Sequence, residues 1–486
     1  MPACLGHKRK EKMGRNNKPD LVLESLEIEA VAAEGKSIAH APDGRVVFVD
    51  YAVPGDVADV RILKRKKNYM EGRIETLVKP SEHRVVPFCS HFGVCGGCRW
   101  QHLPYSMQLE AKRSQVVDQL QRIGHLDIPE VRPTLGSKNT VYYRNKLEFT
   151  ASPRRWILSG ETSDNLSDEE LCGLGFHVGK YFDKVLDIKE CFLQGEPSNS
   201  LRIFVKQYAI QNGISFYNLR ENHGQLRSMF VRTSSTGELM LIVCFGEDFD
   251  GRERMLSDIY EAFPQISSLY YIINKKLNDS ISDQECILFK GSECIHETME
   301  GLTFRIGPKS FYQTNSDQAY ELYKVAREFA ALNGGEVVYD LYTGTGTIAQ
   351  FVSRKASRVI GIEYVPEAIE DAKTNARLNG IENCEFYAGD MKDVLTSSFI
   401  AAHGKPDVMI VDPPRAGMHP DVVKTILASA PERIVYVSCN PASQARDLQM
   451  MSSDYEIVAV QPVDMFPHTQ HVENVCKLVR RPEKCE

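Results

Sequence analysis

One thiol stands at the end of an apolar run. Ile434 to Val437 reads as a buried strand, and it stops abruptly in Ser438-Cys-Asn-Pro441. In open α/β sheets, ligands sit at the carboxyl ends of strands, so the pattern puts Cys439 where chemistry happens. Alone, a free cysteine is more often a small buried hydrophobe. A second group changes that balance. Glu473 closes the motif His468-Thr-Gln-His471-Val-Glu473 on a later connection. Carbon 5 of a pyrimidine is a poor nucleophile. A thiolate adding at carbon 6 turns the ring into an enolate, and a base must then remove the carbon 5 proton. One cysteine and one carboxylate meet that need, with Cys439 as nucleophile and Glu473 as base. Free thiols ionise near a pKa of about 8.5, so a cationic neighbour would help, and Arg415 is the candidate. The competing reading of Glu473 is a surface carboxylate at a strand start.

A methyl donor is the second requirement. Tyr339-Asp-Leu-Tyr-Thr-Gly-Thr-Gly-Thr347 joins an apolar run to a helical pattern, and Gly344 and Gly346 let the backbone approach a ligand closely. The acidic Glu363 ends the next strand, 19 positions after Gly344, the place from which dinucleotide folds grip ribose hydroxyls. The third glycine of the nicotinamide fingerprint is absent, since Ala349 follows Thr347 and Ile348. With Asp340 before the turn, this favours S-adenosylmethionine over NAD. Asp390, after the third strand, is placed for an adenine edge. Asp412-Pro-Pro-Arg415 closes the fourth strand; two prolines stiffen the loop and Asp412 faces the methyl donor. Enzymes that methylate amino groups put an aromatic after Asp-Pro-Pro. Arg415 stands there instead, which disfavours adenine N-methylation.

Cys89, Cys95 and Cys98 fall within ten positions, with Gly93, Gly96 and Gly97 between them. Three thiols on a loop that can wrap closely read as a metal site lacking its fourth ligand. Cys172 and Cys191 are the nearest downstream candidates. Zinc takes four thiolates and iron–sulfur clusters do too, and spacing does not separate the two.

These residues need elements to hold them. The last third of the chain alternates apolar runs with helical patterns. Strands are expected at Val337–Tyr342, Val359–Glu363, Glu385–Ala388, Val408–Asp412, Ile434–Ser438, Ile457–Pro462 and Val475–Arg480, with a helix at Pro366–Asn379 stopped by Gly380. That alternation predicts an α/β fold with a mostly parallel, doubly wound sheet. At the other end, Leu21 to Val78 reads as short alternating strands with a turn at Asp43-Gly44, a small β-barrel. Lys64, Arg65, Lys66 and Lys67 sit between its last two strands as a candidate phosphate contact. A helix is expected at Tyr105–Ile123. Residues 140–305 mix strand and helix patterns, an α+β region with Arg154–Glu170 as a loop insertion. Residues 1–20 form a basic tail with almost nothing apolar to bury, read as disordered.

The bulk numbers fit an enzyme of two or three domains. The 486 residues carry 58 Lys+Arg against 65 Asp+Glu, a net charge of −7, so any nucleic-acid contact must rest on local patches. The 13 cysteines are an odd count without a secretory signal. No apolar run approaches the ~18 residues of a membrane helix. A cytoplasmic, reduced protein is expected, without membrane contact and monomeric.

Taken together, these motifs resemble the RNA 5-methyluridine methyltransferases, in particular their iron–sulfur branch acting on 23S ribosomal RNA. The resemblance covers the chain apart from the first 20 residues and the insertion near 154–170. It implies four parts: a disordered tail at 1–20, an RNA-binding TRAM barrel at 21–80, a central α+β domain with a cluster site at 81–310, and a Rossmann-like class I methyltransferase domain at 311–486. Phe88-Cys-Ser-His-Phe-Gly-Val-Cys-Gly-Gly-Cys98 is similar to the family's cluster motif, and its fourth ligand corresponds to Cys191. The resemblance thus implies a [4Fe–4S] cluster on Cys89, Cys95, Cys98 and Cys191. Ser310-Phe-Tyr-Gln-Thr-Asn315 matches the family's Ser-Phe-x-Gln-x-Asn and implies a cofactor contact at Gln313. Tyr342, Glu363, Asp390 and Asp412 match other cofactor positions. Thr347 stands where many relatives carry Asn, so a hydroxyl replaces an amide there. Ser438-Cys-Asn-Pro441 and His471-Val-Glu473 match the nucleophile and base motifs. The expected activity is methylation of a ribosomal RNA uridine at carbon 5, the base leaving its stack to reach Cys439. The rivals are a transfer-RNA T-loop methyltransferase with the same chemistry, and a non-catalytic RNA-binding assembly factor.

Overall fold

The computed structural model describes residues 21–179, 181 and 183–482. The basic tail expected at 1–20 lies outside them. The chain divides after Arg84 into two compact units.

The first unit is a six-stranded sheet in the order Val22–Glu27, Val57–Arg65, Tyr69–Lys79, Val46–Asp50, Lys36–His40, Ala30–Val31. Side chains alternate about the pleat, so Ala39, Val47, Val49, Ala58, Val60 and Met70 share one apolar core. The Asp43-Gly44 turn forms as read: Gly44 has φ +83 and its N–H donates to Ala41 O at 2.9 Å. The strand Lys36–His40 was not foreseen. Asp56 is buried and accepts from Val53 N (2.7 Å), Ser81 N (2.9 Å) and Arg84 Nη2 (2.6 Å), which pins the unit's last residues. Lys64 to Lys67 are exposed, and Lys64 pairs with Glu71 at 2.6 Å.

The second unit holds two seven-stranded sheets. One runs Ile287–Gly291, Ile266–Ile273, Leu239–Phe245, Leu226–Thr233, Lys146–Ser152, Gly173–His177, Val185–Leu186. Every residue of Leu239–Phe245 is buried. Val141 to Phe149 reads as a strand from its sequence, but the strand begins only at Lys146 and runs to Ser152. The reason is where the preceding amides go: Tyr142 and Arg144 donate to Phe192 O and Leu193 O, and Asn145 to Thr314 O. The expected loop at Arg154–Glu170 contains part of a short helix, Asp168–Leu171, opened by a Ser167/Glu170 capping box.

The other sheet runs Cys384–Ala388, Arg358–Glu363, Val337–Leu341, Val408–Val411, Arg433–Ser438, Glu473–Arg480, Tyr455–Val463. The first five strands are parallel, and Glu473–Arg480 alone runs antiparallel, to both of its neighbours. This is the doubly wound α/β fold expected. The strand order reverses between Val337–Leu341 and Val408–Val411, and a crevice opens at such a switch point. Helices Ser316–Ala330, Thr347–Ser353 and Pro366–Leu378 bury their apolar faces on one side of the sheet. On the other side, Pro420–Ser429 and Pro441–Met451 are joined by Tyr105–Asp118 and its π-helical continuation Gln119–Ile123. Val116 and Leu120 of that element are fully buried in the same core as Tyr436 and Leu478. A helix more than 300 residues upstream in sequence thus belongs to this sheet's packing.

Candidate active site

The switch-point crevice is built first by one strained turn. After Val337–Leu341 the chain passes through Tyr342 at φ +66, Gly344 at φ +55 and Gly346 at φ +76 before the helix at Thr347. A Cβ at Gly346 would lie 2.9 Å from both Ala372 Cβ and Phe386 Cε1, so only glycine fits. Asp340 props the turn from below: its Oδ2 accepts from Thr343 Oγ1 (2.5 Å) and Ala349 N (3.0 Å). Glu363 is fixed at the next strand end, its two oxygens accepting from Gly344 N (3.1 Å) and Val365 N (3.0 Å). Asp390 caps the following short helix by accepting from Lys392 N at 3.2 Å.

These pieces border one cavity of about 990 Å³, whose lining includes Gln313, Tyr342, Thr347, Glu363, Asp390, Asp412 and Cys439. All six expected cofactor residues therefore share one space with the expected nucleophile. That volume suits a nucleoside-sized ligand with room to spare. Tyr312 also lines it, and its hydroxyl is buried without a hydrogen-bond partner among the described residues. Gln313 is held through its backbone, Asn145 Nδ2 donating to its carbonyl at 2.9 Å. Nothing in local sequence period marks Gln313 or Tyr312; only the resemblance points to the first.

Cys439 sits on the turn between Arg433–Ser438 and Pro441–Met451. Asn440 caps that helix, accepting from Ala442 N (3.2 Å), while its Nδ2 donates to Arg415 O (2.9 Å). The thiol turn and the Asp412-Pro-Pro-Arg415 loop are thereby tied together. Glu473 opens the strand Glu473–Arg480, opposite Val463 in register. It is 7% exposed, so the reading of it as a surface carboxylate fails. Burial pushes its carboxyl up to about 8; Asp412 raises it further and Arg415 opposes. Burial likewise pushes the Cys439 thiol up to about 11, with Glu473 and Asp412 adding and the Arg415 guanidinium opposing. Arg415 is thus the cationic neighbour expected, but burial and two acids outweigh it. Asp412 itself is raised to about 7, by burial and then Asp340. Arg415 Nη2 also reaches His471 Nδ1 at 3.4 Å.

Comparison with known proteins agrees with this geometry. The family pattern described as tRNA (Uracil-5-)-methyltransferase matches residues 291–481, and a TRAM domain matches residues 25–74. A protein of Porphyromonas gingivalis named "Uncharacterized RNA methyltransferase" is 57% identical over 466 residues, covering 94% of this chain and 100% of its own. The chain belongs to the S-adenosylmethionine-dependent RNA uracil-5 methyltransferase family. A second family member of the same name, from Bacteroides thetaiotaomicron, is also 57% identical, over 93% of this chain and 100% of its own. Among solved structures, a Pyrococcus abyssi tRNA (uracil-54, C5)-methyltransferase in complex with S-adenosyl-L-homocysteine superposes with a TM-score of 0.71. It is 29% identical and covers 93% of this chain and 100% of its own.

This RNA methyltransferase carries a second cavity, of about 550 Å³, whose lining includes Cys89, Cys95, Cys98 and Cys191. All four are free thiols. Cys172, the other candidate from spacing, is not among its lining residues. Burial pushes Cys98 up to about 12 and Cys191 up to about 11. A single zinc ion holds its sulfurs at about 2.3 Å. Among the described residues, no three His, Cys, Asp or Glu side chains are grouped to hold one metal ion, so the expected metal site is not borne out as a single-ion centre. Also among the described residues, no helix is long and apolar enough to cross a membrane.

Proposed function

We propose that this enzyme methylates carbon 5 of a uridine in 23S ribosomal RNA. One observation carries the reading: Cys439 lines the same cavity as Gln313, Tyr342, Thr347, Glu363, Asp390 and Asp412. S-adenosylmethionine, when bound there, supplies an electrophilic methyl group. Glu363 takes the ribose hydroxyls, Asp390 the adenine edge, and Gln313 and Asp412 face the methyl-bearing end. Cys439 Sγ, as the thiolate formed when its proton passes to solvent, adds to carbon 6 of the uracil, which makes carbon 5 nucleophilic enough to accept the methyl group. Glu473 then takes the carbon 5 proton. The electron pair left behind restores the carbon 5–carbon 6 double bond, and Sγ leaves as thiolate. The Arg415 guanidinium, which opposes the rise of the thiol's pKa, favours the anion at the start and end of that cycle.

The RNA partner has two readings. Ribosomal RNA is favoured by the cysteine motif, through the resemblance that it carries. Transfer RNA is favoured by a specific finding: the Pyrococcus tRNA enzyme aligns over 93% of the chain, so domain architecture does not separate the substrates. Side-by-side methylation of purified transfer RNA and 23S fragments, with mass mapping of 5-methyluridine, tests this. Methyl incorporation into 23S fragments is expected; incorporation only at the transfer-RNA T-loop overturns the ribosomal reading. The exposed Lys64–Lys67 run of the TRAM unit is the proposed phosphate contact.

We further propose that Cys89, Cys95, Cys98 and Cys191 hold a [4Fe–4S] cluster. Four thiols around one cavity fit a group that spreads its ligands over several metal atoms rather than one. Iron and sulfide in a one-to-one ratio after anaerobic purification support this; stoichiometric zinc overturns it.

A further inference from the structure

The strand that carries Glu473 is entered through a long excursion. Tyr455–Val463 and Glu473–Arg480 are paired up to Val463 and Glu473, and residues 464–472 bridge them. That excursion is gripped by a segment more than 350 residues upstream in sequence, immediately after Cys98. His468 O accepts from Arg99 N (2.8 Å) and Trp100 N (3.0 Å). His468 N donates to Gln108 Oε1 at 2.9 Å, and Gln108 Nε2 reaches back to His468 Nδ1 at 3.2 Å. The same Nε2 donates to Trp100 O and Leu103 O, both at 2.9 Å, so one amide locks the grip to itself. Lys112 pairs with Asp464, both side chains wholly inaccessible, and Tyr105 donates to Asp464 Oδ2 at 2.8 Å. The Phe88 ring meets the His468 ring edge-on at 5.1 Å. Gln108 and Lys112 are fully buried. Such a buried, reciprocally bonded network has one low-energy arrangement, because each unpaired member would be left without a partner.

We propose that residues 99–112 are a clasp that sets the position of Glu473, and that the thiol site bears on the reaction through this clasp. Cys98 fixes where the Arg99 and Trp100 amides point. Those amides hold His468, and His468 stands five residues before the base. Misplacing a catalytic group by about 1 Å costs on the order of a hundredfold, so a fixed support outside the crevice has a kinetic consequence. Gln108, Lys112 and Tyr105 are positioning residues: they act on the base loop rather than on RNA or cofactor. This proposal rests on Glu473 as the base.

The test separates addition from proton removal. Full-length Gln108→Ala, Cys98→Ala and Glu473→Gln are each incubated with ordinary uridine RNA and S-adenosylmethionine, then run on a denaturing gel. Amide exchange of residues 464–473 is measured in the same preparations. With the base misplaced, Cys439 adds and the methyl transfers, but release stalls. Gln108→Ala and Cys98→Ala are expected to trap protein–RNA adduct about tenfold over wild type, with faster exchange over 464–473 and unchanged cofactor affinity. Trapping by Glu473→Gln alone, with exchange in the other two at the wild-type rate, overturns the clasp. Absence of trapping in Glu473→Gln overturns the base assignment, and the clasp with it. Where Gln108→Ala does not fold, Tyr105→Phe removes a gentler support within the clasp, the 2.8 Å bond from its hydroxyl to Asp464 Oδ2, and is read in the same way.

Discussion

Asn440 Nδ2 donates to the carbonyl oxygen of Arg415 at 2.9 Å, and this bond joins the nucleophile's turn to the loop that faces the methyl donor. Asn440 also caps the helix behind Cys439 through Ala442 N. Its replacement by alanine removes both. Loss of such a cap costs about 1 kcal/mol, read as a lower urea midpoint. The rate of Cys439 adduct formation with RNA is expected to fall further than stability does, because the thiol loses its strut to Arg415. A variant that loses stability but keeps the wild-type adduct rate contradicts this role.

The pH dependence follows from burial. Glu473 is raised to about 8 and must be ionised to take a proton. Turnover is therefore expected to climb with pH through about 8, where half of the Glu473 carboxylate is formed, and to go on rising as the Cys439 thiol, held near 11, ionises. Arg415 lowers both Glu473 and Cys439, so Arg415→Ala should move the climbing limb to higher pH. Glu473→Gln should remove the part of the climb centred near pH 8, leave the rise set by the Cys439 thiol, and cost about a hundredfold or more in turnover. An unchanged limb in Glu473→Gln assigns it to another group.

Much of this site was legible because it is local. A strand end, two glycines and an acid at the next strand end are consecutive signals, and each survives folding as a neighbour in space. Cys439 was legible for the same reason. What was not legible joins residues far apart in sequence. Lys112 and Asp464 are separated by 352 positions, and no period or motif in either segment announces the other. The burial of Glu473 was equally hidden, since its two flanking strands could expose or cover their first residue with the same pattern. The fate of the Tyr142–Asn145 amides depended on partners at Phe192, Leu193 and Thr314, so the strand there began later than its apolar run suggested.

Stability should depend on pH with a definite sign. Glu473, Asp412 and Asp340 are held at about 8, 7 and 7, each chiefly by burial. A carboxyl raised on folding binds more protons in the native state between its unfolded and folded pKa. Its contribution is present in full below about pH 4 and is lost as pH rises through about 7 to 8. The Tm of the wild type is expected to fall more between about pH 5 and pH 8.5 than that of Glu473→Gln, which has no proton to lose. Parallel slopes in the two proteins contradict the burial assigned to Glu473.

The cofactor turn makes a steric prediction. Gly346 has φ +76, and a Cβ there meets Ala372 and Phe386 at 2.9 Å. The left-handed backbone alone costs an L-residue about 1–2 kcal/mol. Gly346→Ala is expected to weaken S-adenosylmethionine binding by about tenfold or more, measured by calorimetry. Gly335, where a Cβ meets nothing within 4 Å, is the matched control, and Gly335→Ala should leave affinity unchanged. Equal affinities in all three proteins would place the cofactor elsewhere.

The most direct measurement is covalent capture of the thiol. RNA containing 5-fluorouridine cannot release carbon 5 fluorine as a proton, so the adduct between Cys439 and carbon 6 persists after methyl transfer. Incubation with S-adenosylmethionine and a denaturing gel should show a protein–RNA band for the wild type and none for Cys439→Ala. A band that survives Cys439→Ala, or no band from an enzyme that methylates ordinary RNA, contradicts the account.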